Sequence, residues 1–296
     1  MRISVIITCY NYERYVGLAI ESVLQQRDDQ LQLIVVDDGS TDGSLRVIRG
    51  FIEDQNLILI AKENGGQASA FNAGLKRATG DLVWFLDADD FLLPKALQAV
   101  REEWKDSCVK LHAPMCVVDG AGVGLGRTNP RKFSRMASGD IRFSYLALGA
   151  YSSPPTSGTV YKRSALKEIF PIPEKIYRIC ADAYLKERSA FLGKIIKIPQ
   201  PLAAYRIHGS NNFAEAKELS PCAAEMAVAR LISKYKFLLS KDTSRFTTFC
   251  RSIIFIRSRH MRFLKQYDTG GCESKFMILF PAATSGLVYR LYRPRA

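Results

Sequence analysis

A chain of 296 residues, 47% hydrophobic and 24% charged, is long enough to bury a core and has the composition of an ordinary folded protein, which excludes a disordered or low-complexity chain. Its formal net charge of +13 is unevenly spread: residues 1–110 carry 12 Lys/Arg against 17 Asp/Glu, and residues 111–296 carry 30 against 12. An acidic half suited to a cation thus precedes a basic half suited to an anionic partner, whether nucleic acid, an anionic membrane or a phosphorylated acceptor.

The first ten residues hold one basic residue and an apolar stretch too short for a signal peptide, so the expected location is the cytoplasm. Ile3–Thr8 and Leu31–Val36 are short β-branched runs that end in polar turn residues, and both are expected to be buried strands. Between them Val16, Ile20, Val23 and Leu24 recur at helical spacing. After the second strand Leu45, Ile48 and Ile52 do the same, with Ser40 or Thr41 available as a cap. The alternation continues through a strand at Leu57–Ile60, a helix face of Ala68, Phe71, Leu75 and Ala78, and a strand at Leu82–Leu86. Pro94 then suits the first turn of another helix. Four strand-helix alternations predict an α/β domain with a mostly parallel sheet covered by helices on both faces, whose ligands sit at the carboxyl ends of the strands.

The glycine-rich run from Asp119 to Gly126 misses G-x-G-x-x-G and is expected to form a turn or hairpin. Helical stretches dominate from Phe213 to Tyr267, and an apolar tail over Phe276–Tyr292 is broken by Pro281. The expected organisation is one domain over 1–212, in two halves of 1–110 and 111–212, followed by a basic helical appendage over 213–296. The seven cysteines are odd in number, scattered and free of any C-x-x-C, as expected for free thiols rather than a disulfide framework or zinc site.

Each strand of the first half ends in a polar cluster: Thr8-Cys9-Tyr10-Asn11, Asp37-Asp38-Gly39-Ser40-Thr41-Asp42, Lys62-Glu63-Asn64-Gly65-Gly66 and Asp87-Ala88-Asp89-Asp90. Any one of these is ordinarily a turn or cap, but in a parallel sheet all four share one edge. Three carboxylates within four residues repel one another unless a cation offsets them. Hard oxygen donors favour Mg²⁺ or Mn²⁺, ions that keep ligand positions for phosphate oxygens.

The segments V-I-I-T-C-Y-N-Y, V-V-D-D-G-S-T-D, E-N-G-G-Q-A-S-A-F-N-A-G and G-D-L-V-W-F-L-D-A-D-D, in this order, resemble glycosyltransferase family 2. The resemblance is strong over residues 3–105 and extends more weakly to about 212. It implies a GT-A fold and an inverting transferase that moves a sugar from a nucleotide diphosphate, with UDP favoured, to an acceptor hydroxyl. By the same resemblance Thr8, Tyr10, Asp37, Asp38, Asn64, Gly66, Asn72, Asp87 and Asp89 are donor-binding, with Asp38 on the base. Asp87 and Asp89 form the D-x-D that holds metal, and Asp90 is a further candidate for that role.

Two later segments extend the likeness. Asp182 lies where the family carries a catalytic base, although the preceding position, often Glu, is Ala181 here; locally, an acid at a helix start has an alternative explanation in the helix dipole. Tyr205-Arg206-Ile207-His208-Gly209-Ser210-Asn211 resembles the Y-R-x-H-x-x-N that closes the family's catalytic domain, which makes His208 a metal or diphosphate ligand; His112 and His260 acquire no role.

The implied partners are a nucleotide-sugar donor, a saccharide or lipid-linked acceptor, and an anionic membrane surface met peripherally by the basic C-terminal region. Nucleic acid ranks below these, since no helix-turn-helix, RNP or zinc-finger spacing is present. The rival functions are a nucleotidyltransferase and a catalytically silent nucleotide-sugar-binding protein.

Overall fold

The computed structural model describes residues 1–148 and 150–209, to which all structural statements refer. The chain divides into two units, Met1–Arg142 with Tyr151–Glu215, and Phe143–Ala150 with Ala216–Ala296. The appendage expected over 213–296 lies outside the described residues.

In chain order the first unit begins β1 (Ile3–Cys9), α1 (Val16–Leu24), β2 (Leu31–Asp37), α2 (Ser44–Arg49), β3 (Leu57–Ala61), α3 (Gln67–Arg77) and β4 (Leu82–Asp87). There follow β5 (Phe91–Leu92), α4 (Ala96–Glu103), β6 (Cys108–His112), β7 (Met115–Val118) and β8 (Gly124–Asn129). After α5 (Arg142–Leu148), most of which belongs to the second unit, come β9 (Thr159–Lys162), α6 (Arg163–Leu166), α7 (Ala181–Ser189), β10 (Lys194–Lys197) and β11 (Ala203–Arg206).

A seven-stranded sheet runs in the order β10-β6-β9-β4-β1-β2-β3. β1 pairs in parallel with both β2 and β4, and β2 with β3, so the polar clusters after these four strands do share one edge. β9 is the exception, antiparallel to both β4 and β6. β1 and β2 are buried along their whole length, as strands between two helical layers must be. One face packs Ile3, Val5 and Ile7 against α1 and α4. The other packs Ile6, Ile34, Val36 and Phe85 against α3 and α7. Phe71 of α3 stacks on Phe85 with ring centroids 4.2 Å apart. Each such fully buried aliphatic or aromatic side chain contributes roughly 1.5–3 kcal/mol.

A second sheet, β5-β11-β7-β8, begins directly beyond the Asp87–Asp90 cluster. β7 and β8 form the hairpin expected of the glycine-rich run. Its turn is closed by Asp119, whose Oδ1 accepts from the amides of Ala121 and Val123.

Three local expectations are corrected. Neither Ser40 nor Thr41 caps α2. Ser40 Oγ instead accepts from Asn11 N at 3.0 Å and Thr41 N donates to Asn11 Oδ1 at 2.8 Å, which ties the β1 and β2 exits together. The carboxylate that serves the start of α2 is Asp42, whose Oδ1 accepts from Ser44 N at 2.9 Å. α2 also ends at Arg49, leaving Ile52 beyond the helix and exposed. Finally, Pro94 is not in the first turn of its helix: α4 starts at Ala96, after Lys95 in the left-handed region.

Cys9, Cys108 and Cys116 are free thiols. Burial pushes the Cys9 thiol up to about 11, so it is an inert core group at neutral pH. Among the described residues no helix is long and apolar enough to cross a membrane.

Candidate active site

The four strand exits open onto a cleft of about 630 Å³. Thr8 and Tyr10 line it from β1, Asp38 from β2, Asn64 and Gly66 from β3, and Asp87 and Asp89 from β4; Asp182 enters from the first turn of α7. Eight of the residues singled out from the sequence are therefore brought to one cavity from segments as much as 174 positions apart.

Three others are placed differently. Asp37 is buried and does not line the cleft: its Oδ2 accepts from Ser40 N at 3.2 Å, while Oδ1 is buried with no hydrogen-bond partner. Asn72 is also away from the cleft. Its Nδ2 donates to Ile172 O and Glu174 Oε1, and its Oδ1 accepts from Ile172 N, so the amide pins a distant loop onto α3. The structure thus gives both residues scaffolding contacts, and neither lines the cleft. His208 lies behind the cleft wall, with Nε2 3.0 Å from Asp89 Oδ2 and its ring stacked on Tyr15 at 4.7 Å.

Asp38 lines the cavity, but its carboxylate is heavily used by the protein itself. Oδ1 meets Lys62 Nζ at 2.7 Å and accepts from Gly65 N at 3.0 Å, and Oδ2 accepts from Gly66 N at 2.6 Å. Asp38 thereby shapes the glycine loop after β3. That loop needs its glycines: Gly66 has φ +85°, and a Cβ there would come within 2.4 Å of Arg178 O.

The acidic cluster after β4 separates into two kinds of carboxylate. Asp90 is buried and engaged by the protein, its Oδ2 accepting from Ser157 Oγ at 2.6 Å and its Oδ1 from Arg206 N at 3.0 Å. It anchors β11 to the β4 exit while also lining the cleft. Arg206 completes the anchor by donating from Nε to Asp89 O and from Nη1 to Gly120 O. Asp87 lines the same cleft, with Gln67 Nε2 3.3 Å from its Oδ1. Burial, then the negative charges of Asp89 and Asp182, push the Asp87 carboxyl up to about 8, against smaller opposing hydrogen bonds from Thr156 and Gln67.

Burial and neighbouring like charges raise a carboxyl in this way. The donor chemistry of Asp87 and Asp89 fits a hard divalent cation that takes its other ligands from phosphate and water. Among the described residues no group of three or more His, Cys, Asp or Glu stands ready to hold an ion by itself.

Several lining residues carried no role in the sequence analysis. Gln67 directly follows the glycine pair of a recognised segment, and Tyr205 belongs to the closing motif, so both had a local signal. Thr156 and Arg178 had none, because only the fold brings the loop before β9 and the approach to α7 against the β4 exit.

The fold and cleft define a GT-A glycosyltransferase architecture. It is shared with Staphylococcus aureus TarS residues 1–349 solved with UDP-GlcNAc (TM-score 0.66, 20% identity, 92% of this chain and 75% of that one). It is shared also with the mannosyltransferase PcManGT of Pyrobaculum calidifontis solved with GDP-Man and Mn²⁺ (TM-score 0.61, 19% identity, 99% of this chain and 81% of that one). The sequence model of glycosyl transferase family 2 matches residues 4–170, and the chain belongs to that family. An uncharacterized glycosyltransferase of Nostoc sp. strain PCC 7120 is 41% identical over 220 residues, which is 73% of this chain and 68% of the relative. The minor teichoic acid biosynthesis protein GgaA of Bacillus subtilis strain 168 is 31% identical over 184 residues, or 58% of this chain and 40% of the relative.

Proposed function

We propose that this family 2 glycosyltransferase transfers a sugar from a nucleoside diphosphate, with UDP-sugars the first candidates, to an acceptor hydroxyl with inversion at the anomeric carbon. The observation that carries this reading is the opposition of carboxylates in one cleft. Asp87 and Asp89 come from the β4 exit, Asp182 comes from the start of α7, and the charge of Asp182 acts directly on Asp87.

Thr8, Tyr10, Asn64 and Gly66 then form the donor-binding wall, with Asp38 holding the loop that contains the last two. Asp87 and Asp89 are the residues that would hold Mn²⁺ or Mg²⁺, and His208 fixes the orientation of Asp89. A cation held there would neutralise charge on the departing diphosphate. Asp182 accepts the proton of the acceptor hydroxyl as that oxygen bonds to the anomeric carbon. The bond from this carbon to the diphosphate oxygen breaks on the opposite side, and nucleoside diphosphate leaves. A single base without a second carboxylate acting as nucleophile gives one displacement and therefore inversion.

The acceptor class we infer is a saccharide or lipid-linked saccharide in cell-surface polymer assembly. Two observations favour it: the teichoic acid role in the name of GgaA, and the excess of 30 Lys/Arg over 12 Asp/Glu in residues 111–296. We propose further that residues 230–296, with 14 Lys/Arg and three acids, dock on an anionic membrane surface from the cytoplasmic side. Sedimentation with anionic and neutral liposomes tests this, and equal binding to both, or to neither, would refute it.

The decisive experiment for the reaction is a panel of UDP-glucose, UDP-N-acetylglucosamine and GDP-mannose, each with Mn²⁺ or with chelator. Metal-dependent release of nucleoside diphosphate is expected from one of them and not from the Asp89→Ala variant. Pyrophosphate release from nucleoside triphosphates would instead establish the nucleotidyltransferase, and tight donor binding without turnover would establish a silent binding protein.

A further inference from the structure

One side chain touches both halves of the proposed machinery. The Gln67 amide donates from Nε2 to Asp87 Oδ1 at 3.3 Å and accepts at Oε1 from Ala181 N at 2.8 Å. Ala181 is the first residue of α7 and immediately precedes Asp182. Gln67 is itself the first residue of α3, and its own amide donates to Arg178 O at 2.7 Å. It is thus held from behind by the segment it orients.

The surrounding packing makes this a stiff connection. Gly66 allows the Arg178 backbone to approach so closely that a Cβ would stand 2.4 Å from its carbonyl oxygen, and the Arg178 guanidinium hydrogen-bonds Asn64 Oδ1. Ala68 and Phe71 of α3 share one core cluster with Tyr177 and Ala181. Cys180, which leads into α7, sits in the left-handed region at φ +72°, so the chain makes a defined turn just before Asp182. With both carboxyls ionised, Asp87 and Asp182 would repel and could not set their own spacing. A neutral amide that donates to one side and accepts from the other can.

We propose that Gln67 is a positioning residue that sets the separation between Asp87, on the donor side, and the start of α7, which carries Asp182 on the acceptor side. This rests on the assignment of Asp182 as base. Without the bridge, the donor still finds its wall of strand-end residues, but the base is no longer held at the attacking oxygen. Misplacement of a reacting group by about 1 Å costs on the order of 100-fold in rate.

The test uses the full chain, Mn²⁺ and whichever of UDP-glucose, UDP-N-acetylglucosamine and GDP-mannose the enzyme cleaves fastest, with release of nucleoside diphosphate to water as readout. Gln67→Ala and the similarly long Gln67→Met are expected to lower kcat by about 10- to 100-fold. Donor affinity by calorimetry should fall by a smaller factor than kcat, as expected when reaction geometry is lost more than donor binding. In the Asp182→Asn background either substitution should add little, because a residue that acts through Asp182 has nothing left to position. The proposal is overturned if Gln67→Met, melting at the parent's temperature, turns over at the parent's rate, or if its loss multiplies fully with that of Asp182→Asn. Retention of full turnover by Asp182→Asn alone would overturn the base assignment instead, which keeps the two failures distinct.

Discussion

His208 and Asp89 are each other's partners, with Nε2 3.0 Å from Oδ2 across 119 positions of sequence. The histidine is clamped by Tyr15 and Tyr12, so the carboxylate it meets has little freedom to rotate. Removing the clamp by His208→Ala is expected to weaken Mn²⁺-dependent donor binding by about 10- to 100-fold, as loss of a residue that orients a metal ligand does. Calorimetric titration of donor at a series of Mn²⁺ concentrations reads this directly. Unchanged metal dependence would show that Asp89 needs no such partner.

Asp182→Asn keeps the shape of the α7 start and removes the proposed proton acceptor. Turnover is expected to fall by about 10²- to 10⁴-fold, the usual contribution of a general base. Donor affinity should hold or improve, since a negative charge acting on Asp87 is removed. A fall in turnover below tenfold would assign the base to another residue.

Ser157 is the hinge between the acidic cluster and β9: its Oγ donates to Asp90 Oδ2, accepts from Asp87 N at 3.1 Å, and its carbonyl accepts from Trp84 Nε1 at 2.8 Å. Ser157→Ala leaves a buried carboxylate oxygen and a buried amide without that hydroxyl. The expected cost is about 1–3 kcal/mol of stability, measured by denaturant titration. A variant as stable as the parent would mean that Asp90 finds another donor.

The α/β alternation was legible in sequence because the strands are buried on both faces and read as unbroken apolar runs, with helices of clear period between them. The strand-end clusters were legible for the same reason, since parallel pairing puts all four on one edge. Sequence distinguished poorly between residues of one cluster. Asp37, Asp38, Asp87, Asp89 and Asp90 are chemically identical, and only the fold shows Asp90 held by Ser157 and the Arg206 amide and Asp87 met by Gln67. Asn72 lies six positions past Gly66, and nothing local shows that its amide turns to Ile172. Gln67 and Arg178 each acquire their place from contacts 114 positions apart, and Thr156 from a hydrogen bond to Asp87 in another segment, none of which periodicity encodes.

The same limit hid a polar cluster around β6, which predicts a pH dependence of stability. His112 is fully buried on β6, its Nε2 2.8 Å from Ala137 O and its Nδ1 3.2 Å from Ser153 Oγ. A carbonyl can only accept, so the network assigns the proton to Nε2 and leaves Nδ1 to accept from the serine hydroxyl. Ser153 Oγ in turn accepts from Lys110 Nζ at 3.1 Å, and Lys110 also donates to Tyr151 OH, which donates to Lys186 O on α7. Burial first, then the positive charges of Lys110, Lys186 and Lys197, push His112 down to about 3, against a smaller upward effect of the Ala137 carbonyl. Burial likewise holds Lys110 well below the usual lysine range. In the unfolded chain His112 titrates near 6.5. Between that value and about 3 the unfolded state binds a proton that the folded state refuses. The His112 contribution is therefore fully present above about 6.5 and is lost as pH falls, at up to about 1.4 kcal/mol per pH unit for one proton. Urea titrations of the parent and of His112→Asn at pH 7, 6 and 5 isolate this from the carboxylates, which both proteins share. The parent should lose stability more steeply than the variant below pH 6, and parallel curves would show that His112 charges within the fold.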